Sequence, residues 1–269
     1  MEKYSVLMAL YKKEKPEYLW LAIDSILNQT VPPDEITIVK DGLLTPELDA
    51  VLEECSKKSM IFNIVGYENN RGLGLALNYG LEHCRNELVA RMDTDDIAKS
   101  DRCEKQLKKF AEHPEISLLG SSVDEFYKDL EHVVSRRVLP TTHKEIYEFA
   151  KRRSAFNHPT VMYKKSKVLA LGGYSDLRRN QDVDLFGRML YSGLIAANIE
   201  ESLLFFRCND DLAKRRKSWE NTKSYIDTIK KFWKMGYSSF SDYALVAVAQ
   251  TSMFLMPVKL QHWIYKKFL

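Results

Sequence analysis

Three carboxylates, Asp93, Asp95 and Asp96, fall within four positions of "RMDTDDI", directly after the apolar "ELVA". Like charges this close repel, and a strand leading into them would deliver the group to a defined edge. Hard divalent cations take oxygen ligands, and Mg2+ or Mn2+ bound with a diphosphate needs only one or two protein carboxylates. A short acidic motif at a strand end suits that need; the plain alternative is a solvated acidic turn capping the next helix. An EF-hand loop starting at Asp93 is excluded, because Ala98 stands where glycine is required and Ile97 takes a ligand position. The "GLGLAL" segment fails as a dinucleotide fingerprint, with Gly72 and Gly74 but Leu77 in place of the third glycine. A metal-dependent phosphatase with an aspartyl nucleophile is compatible with the acidic pair.

Other segments carry chemistry with a structural alternative beside each. His158 in "FNHPT" suits either an acceptor or diphosphate contact or a satisfied buried histidine. Gly172-Gly173 suit a tight turn with close backbone approach to a sugar, or a helix stop. "KRRKSW" (Lys214 to Trp219), with Arg215 and Arg216, is either a diphosphate clamp or a solvated charged face. The tail "MPVKLQHWIYKKFL" mixes Trp263, Ile264 and Phe268 with Lys259, Lys266 and Lys267. That pattern suits a membrane interface, and it equally suits packing on the protein or in a dimer contact.

The elements that must position these groups follow from periodicity. "YSVLMAL" (Tyr4 to Leu10) reads as a buried strand, and "PEYLWLAIDSILNQ" as a helix with Pro16 in its first turn and Leu19, Ala22, Ile23, Ile26 and Leu27 on one face. A second strand over Ile36 to Val39 ends at Asp41-Gly42 and is followed by the helix "TPELDAVLEECSKK". A third strand, "IFNIVGY", leads through "ENNRG" to a helix from Leu73 to Cys84, and "ELVARMD" is a fourth strand. This alternation predicts an α/β unit with a mostly parallel sheet covered on both faces. Ligands in such sheets collect at the carboxyl ends of the strands, which puts Leu10, Tyr11, Asp41, Arg71 and the Asp93 group on one rim. Further along come the helix "DRCEKQLKKFAEHP", the strand-like "ISLLGSSVDEF", and a helical, aromatic and lysine-rich region from Ser218 onward.

Composition sets outer bounds. With 269 residues, 45% of them hydrophobic, the chain can bury one large core with an appended extension. A net charge of only +3 gives no case for nucleic acid. The four cysteines are scattered without a CxxC pair, which argues against zinc and a disulfide framework and for reduced thiols in a cytosolic protein. The first apolar run is too short for a signal peptide. The apolar stretch from Tyr243 to Val258 is shorter than the ~20 residues a bilayer core requires.

In order and spacing, "AIDSILNQTVPPDEITIVKDG", "ENNRGLGLALNYGL", "MDTDDI", "NHPTVMYKKSKVLALGGY" and "NQDVDLFGRML" resemble the family-2 glycosyltransferases over roughly residues 4 to 210. These are inverting enzymes of the GT-A fold that build bacterial polysaccharides. The resemblance implies a GT-A domain over residues 1–210, with a Rossmann-like central sheet, and a helical C-terminal extension over 211–269 that could associate with a membrane. It makes Asp41 a base or ribose contact, Arg71 a base or phosphate contact, and Leu10 and Tyr11 part of the nucleoside loop. Asp93 and Asp95 match the DXD motif, Asp95 on the metal and Asp93 nearer the ribose and donor sugar, with Asp96 in reach and most open to a helix-capping role. Asp182 matches the catalytic base, with a helix N-cap as its alternative. Two departures stand out: Gln181 replaces a glutamate before the base, leaving an uncharged acceptor contact, and Lys40 replaces an aspartate before Asp41. The implied activity is transfer from a nucleotide sugar, a UDP-sugar by preference, to a lipid-linked saccharide, with Mn2+ or Mg2+, at the cytoplasmic face of the plasma membrane. The alternatives are the phosphatase and a non-catalytic sugar-binding module.

Overall fold

The computed structural model describes residues 2–127, 129–209 and 218–256. Four strands form its first half: β1 (Tyr4–Leu10), β2 (Glu35–Asp41), β3 (Phe62–Tyr67) and β4 (Leu88–Arg91), all parallel and in the order β3-β2-β1-β4. Between them run α1 (Pro16–Leu27), α2 (Pro46–Lys58) and α3 (Leu73–His83). Each helix starts where the sequence supplies a start signal, Pro16 and Pro46 at first-turn positions and Gly72, at φ +93°, before Leu73.

Beyond β4 the sheet changes character. In chain order follow β5 (Ile97–Ala98), α4 (Arg102–Glu112), β6 (Ile116–Phe126), β7 (Val133–Arg137), α5 (His143–Ala150), a short 3-10 turn at His158–Thr160, β8 (Met162–Lys164), α6 (Lys165–Ala170), α7 (Gln181–Tyr191) and β9 (Ile195–Arg207). β8 pairs antiparallel with β4 and with β6, β9 runs parallel to β6, and β5 and β7 add antiparallel to β9 and β6. A parallel nucleotide-binding-type half is thus continued by a mixed half in one sheet. Two helices, α8 (Trp219–Lys234) and α9 (Phe240–Leu255), complete the described chain.

Alternation along β1 explains the two cores. Val6, Met8 and Leu10 face one side with Leu19, Ile23 and Ile26 of α1, Leu48 and Leu52 of α2, and Leu107 and Phe110 of α4. Leu7 faces the other side with Ala76, Leu77 and Leu81 of α3, Leu185, Phe186 and Met189 of α7, and Ile229, Phe232 and Val246 of α8 and α9. Helices therefore cover both faces, and the C-terminal helices share the second core. No helix among the described residues is long and apolar enough to cross a membrane. Arg215, Arg216 and the aromatic-lysine tail lie outside the described residues.

Candidate active site

The carboxyl ends of β1, β2 and β4 open on one rim, as strand order at a parallel sheet edge requires. β4 supplies Arg91 and then the loop of Asp93, Asp95 and Asp96, each offering a carboxylate oxygen within 4.8 Å of the others. The three are not equivalent. Arg91, fully buried at the end of β4, grips both oxygens of Asp93: one guanidinium nitrogen donates to Oδ2 at 3.0 Å, the other to Oδ1. Burial disfavours the arginine's charge, and Asp93, Tyr174 and Asp182 together more than restore it. Part of the positive charge that the acidic crowding demands is therefore internal.

Among the described residues, no cation pairs with the carboxylates of Asp95 and Asp96 in this way. Burial, then the charges of Asp93 and Glu14, push the Asp95 carboxyl up to about 7, against a lowering from Arg207. Burial, Asp95 and Asp93 push Asp96 well up as well. Asp96 accepts the Arg207 N–H at 2.8 Å on Oδ1, while its buried Oδ2 has no partner among the described residues. Helix capping does not account for Asp96: β5 follows it, and the residue before α4 is Asp101. A half-satisfied buried acid beside one raised to neutrality is a donor set of hard oxygens short of positive charge, and it fits a divalent cation. Arg207 closes the loop from β9. Its Nε donates to the Asp95 carbonyl at 2.8 Å, and its guanidinium lies over Tyr18 at 3.9 Å.

At the end of β2, Asp41 is buried and holds the loop before α3. Its Oδ1 accepts from the Tyr67 hydroxyl at 3.0 Å and the Arg71 N–H at 2.7 Å; its Oδ2 accepts from Asn70 Nδ2 at 2.8 Å and the Gly72 N–H at 3.1 Å. A carboxylate has about four acceptor positions, and all are filled in this arrangement. Asp41 thus shapes the rim on which Arg71 stands, with the Arg71 guanidinium over the Tyr67 ring at 5.2 Å. Lys40, in place of an acid, pairs with Asp49 at 2.7 Å. Leu10 is fully buried in the core, so of that residue only the backbone can meet a ligand, whereas Tyr11 is 37% exposed.

Asp182 comes to the same centre from α7. It sits half-buried in the first turn of that helix and is not its N-cap, which is Asn180 in the left-handed region at φ 59°. Burial raises its carboxyl; the Val183 N–H, its own N–H and Arg91 lower it, and Asp93 raises it. Gln181 is buried, with its amide carbon chain against the start of α3 at Gly74 and its Oε1 unpartnered among the described residues. His158 is held neutral by burial and by Arg91, and its Nε2 meets the Tyr174 hydroxyl at 3.0 Å. Gly173, at φ +70°, makes room for Asn78: an added Cβ would stand 2.3 Å from the Asn78 oxygen. The close approach in this turn is to a side chain that accepts the Tyr174 N–H at 2.7 Å.

The structure brings together Asp93, Asp95 and Asp96, sets Asp182 and His158 within electrostatic reach of Arg91, and leaves Asp41, Arg71 and Tyr11 on the neighbouring strand ends. Arg91, Tyr174 and Arg207 were not singled out from sequence. Arg91 had a signal: an arginine closing an apolar strand is buried at a cost unless an acid neutralises it. Arg207 had none, because Asp95 and Asp96 are more than a hundred residues away.

Strand order and two-sided helix cover are those of the GT-A fold. The chain superposes on Staphylococcus aureus TarS 1-349 in complex with UDP-GlcNAc with a TM-score of 0.69 at 14% identity, covering 98% of this chain and 79% of that one. For the mannosyltransferase PcManGT of Pyrobaculum calidifontis in complex with GDP-Man and Mn2+ the TM-score is 0.61 at 14% identity, with 98% and 79% covered. Residues 5–170 match the family model "Glycosyl transferase family 2", and the chain belongs to that family. It is 36% identical over 264 residues to the amylovoran biosynthesis glycosyltransferase AmsE of Erwinia amylovora, covering 98% of both chains. It is 34% identical over 266 residues to the UDP-Gal:alpha-D-GlcNAc-diphosphoundecaprenol beta-1,3-galactosyltransferase of Escherichia coli, covering 98% of this chain and 96% of that one.

Proposed function

We propose that this glycosyltransferase moves a sugar from a UDP-sugar to a hydroxyl of a lipid-diphosphate-linked saccharide, with inversion, during assembly of a surface polysaccharide. The observation that carries the reading is that two acidic groups from distant segments, the loop of Asp93, Asp95 and Asp96 after β4 and Asp182 of α7, lie within electrostatic reach of the same Arg91. The relatives supply the substrate classes: one is named for amylovoran synthesis and another for a UDP-Gal donor and a diphosphoundecaprenol-linked acceptor. A lipid-linked acceptor places the enzyme at the inner face of the plasma membrane, with the C-terminal tail as the contact.

Asp95, with Asp96 and Asp93 beside it, would hold Mn2+ or Mg2+, which supplies positive charge to a departing diphosphate. Arg91 fixes Asp93 on the donor side and balances its charge. Arg71 and Tyr11 face the nucleoside, on a rim that Asp41 keeps in shape. Asp182 takes the proton from the attacking hydroxyl as the new glycosidic bond forms and the bond to the diphosphate breaks. Its position in the first turn of α7 keeps the carboxylate next to helix N–H groups, and its burial raises its basicity. Neutral His158 offers a hydrogen bond and no charge, and Gln181 shapes the pocket wall from the protein side. The phosphatase alternative is set aside because residues 5–170 match a glycosyltransferase family.

Calorimetric titration with UDP, GDP and dTDP, with and without Mn2+, tests the donor and metal assignments against Asp95→Ala. UDP binding that requires Mn2+ and is lost in the variant is expected; binding indifferent to both would sink the metal site. Asp182→Asn should keep donor binding and lose turnover by roughly 10²–10⁴-fold. A variant that turns over normally would refute the base.

A further inference from the structure

Directly beneath the turn that carries Asp182 lies an ion cluster built around one buried carboxylate, with the Lys231 side chain half-exposed at its edge, and none of the roles above uses it. Asp184 is completely buried. Its Oδ2 accepts from the Ser175 hydroxyl at 2.5 Å and from Arg188 Nε at 2.8 Å; its Oδ1 accepts from the Lys231 ammonium. Burial raises the Asp184 carboxyl, but Lys231, Ser175 and Arg188 together outweigh it and hold the group ionised. Arg188 reaches on to the carbonyls of Leu171 and Gly173, at 2.7 and 2.6 Å. One carboxylate thus ties three segments: the glycine turn before Tyr174, the helix α7, and the C-terminal helix α8.

The cluster lies where it can set the base. The Asp184 N–H donates to the Asn180 carbonyl at 3.0 Å, closing the first turn of α7 around Asp182. Ser175 follows Tyr174, whose hydroxyl meets His158. The register of α8 on α7 is fixed next to Lys231 by the Phe232 ring, which packs so tightly on Gly187 that an added Cβ would lie 2.0 Å from it. Lys231 comes from beyond residue 170, where the family match ends.

We infer that Lys231, acting through Asp184, is a positioning residue for Asp182, so that α8 completes the active site without touching substrate. This rests on Asp182 being the base. Removing the ammonium leaves a buried carboxylate oxygen with no described partner, which frees the α7 turn to shift. A displacement of about 1 Å at a reacting group can cost up to about 10²-fold in rate, while the donor rim on β1, β2 and β4 is untouched.

The test compares Lys231→Met and Lys231→Arg, with the exposed neighbour Lys230→Met as control, in the full chain. Donor affinity is read by calorimetry, kcat and KM with a soluble acceptor analogue, and melting temperature by scanning fluorimetry. Lys231→Met should lose at least roughly ten-fold in kcat with UDP-sugar affinity within about two-fold of wild type; Lys231→Arg should recover most of the loss, and Lys230→Met should keep wild-type kcat. Unchanged kcat in Lys231→Met would overturn the inference, and so would parallel loss of kcat, donor affinity and melting temperature, which marks structural support only. If Asp182→Asn itself turns over normally, the base assignment fails and this inference with it. If only Lys231→Met turns over normally, the base stands and the positioning role falls.

Discussion

Asp95 is the residue whose state most depends on what surrounds it. Its carboxyl rises from an ordinary 3.8 to about 7, so the folded protein holds this proton more tightly than the unfolded chain does. The stabilisation from that proton is complete below the ordinary value and falls away as pH rises through the window from 3.8 to about 7. Metal-free protein should therefore lose more melting temperature than Asp95→Asn between pH 4 and 7. Mn2+ should restore it increasingly toward the upper end. Scanning calorimetry of both proteins across that window checks this, and coincident profiles would contradict it. Asp41 makes a second residue-scale case. In Asp41→Asn the new amide nitrogen must face at least one of the N–H donors now satisfied by a carboxylate oxygen. The loss should be about 1–3 kcal/mol in urea denaturation, with weaker nucleotide binding because the Arg71 loop loses its anchor. The place of Asp41 at a strand end was legible in the sequence, but its contact with the loop was not.

At the scale of elements, the parallel half was readable because each strand is a short apolar run and each helix carries a start signal. β1 falls on the expected residues, β2 extends the expected Ile36 to Val39 to Glu35–Asp41, and α3 stops one residue short of Cys84. The second half was not readable in the same way. β9 mixes buried and exposed positions over thirteen residues and shifts register against β6, so no two-residue period marks it. The contact of α7 with α8 also has an element-scale consequence. Gly187→Ala drives a methyl into the Phe232 ring, and should cost about 1–3 kcal/mol by overpacking. If denaturation midpoints of variant and wild type coincide, the two helices are not in that contact.

For the molecule as a whole, the expected division at residue 210 separates a catalytic domain from an extension, yet Ile229, Phe232, Tyr237 and Val246 belong to the same apolar cluster as Leu77 and Leu185. Arg152 of the first part pairs with Asp242 of α9. A chain ending before Ser218 would expose that cluster and strip Asp184 of Lys231. It should be recovered aggregated, or monomeric without a cooperative thermal transition, as judged by size-exclusion chromatography and calorimetry. A stable, cooperative truncated chain would show that the helices are an accessory.

By itself the sequence determined what local pattern can determine: the strand-helix alternation, the rim to which strand ends must deliver Asp41 and Asp93, and the acidic motif whose oxygens suit a hard cation. Those features depend on residues a few positions apart, where period and turn chemistry act. The tertiary structure alone decided how charge is shared. Arg91 takes Asp93, Arg207 reaches back across more than a hundred positions to give its backbone N–H to Asp96 and its guanidinium to the Asp95 carbonyl, and Lys231 reaches Asp184 across 47. Burial sets the strength of each pairing, and burial is a property of the packed whole that no stretch of sequence carries alone.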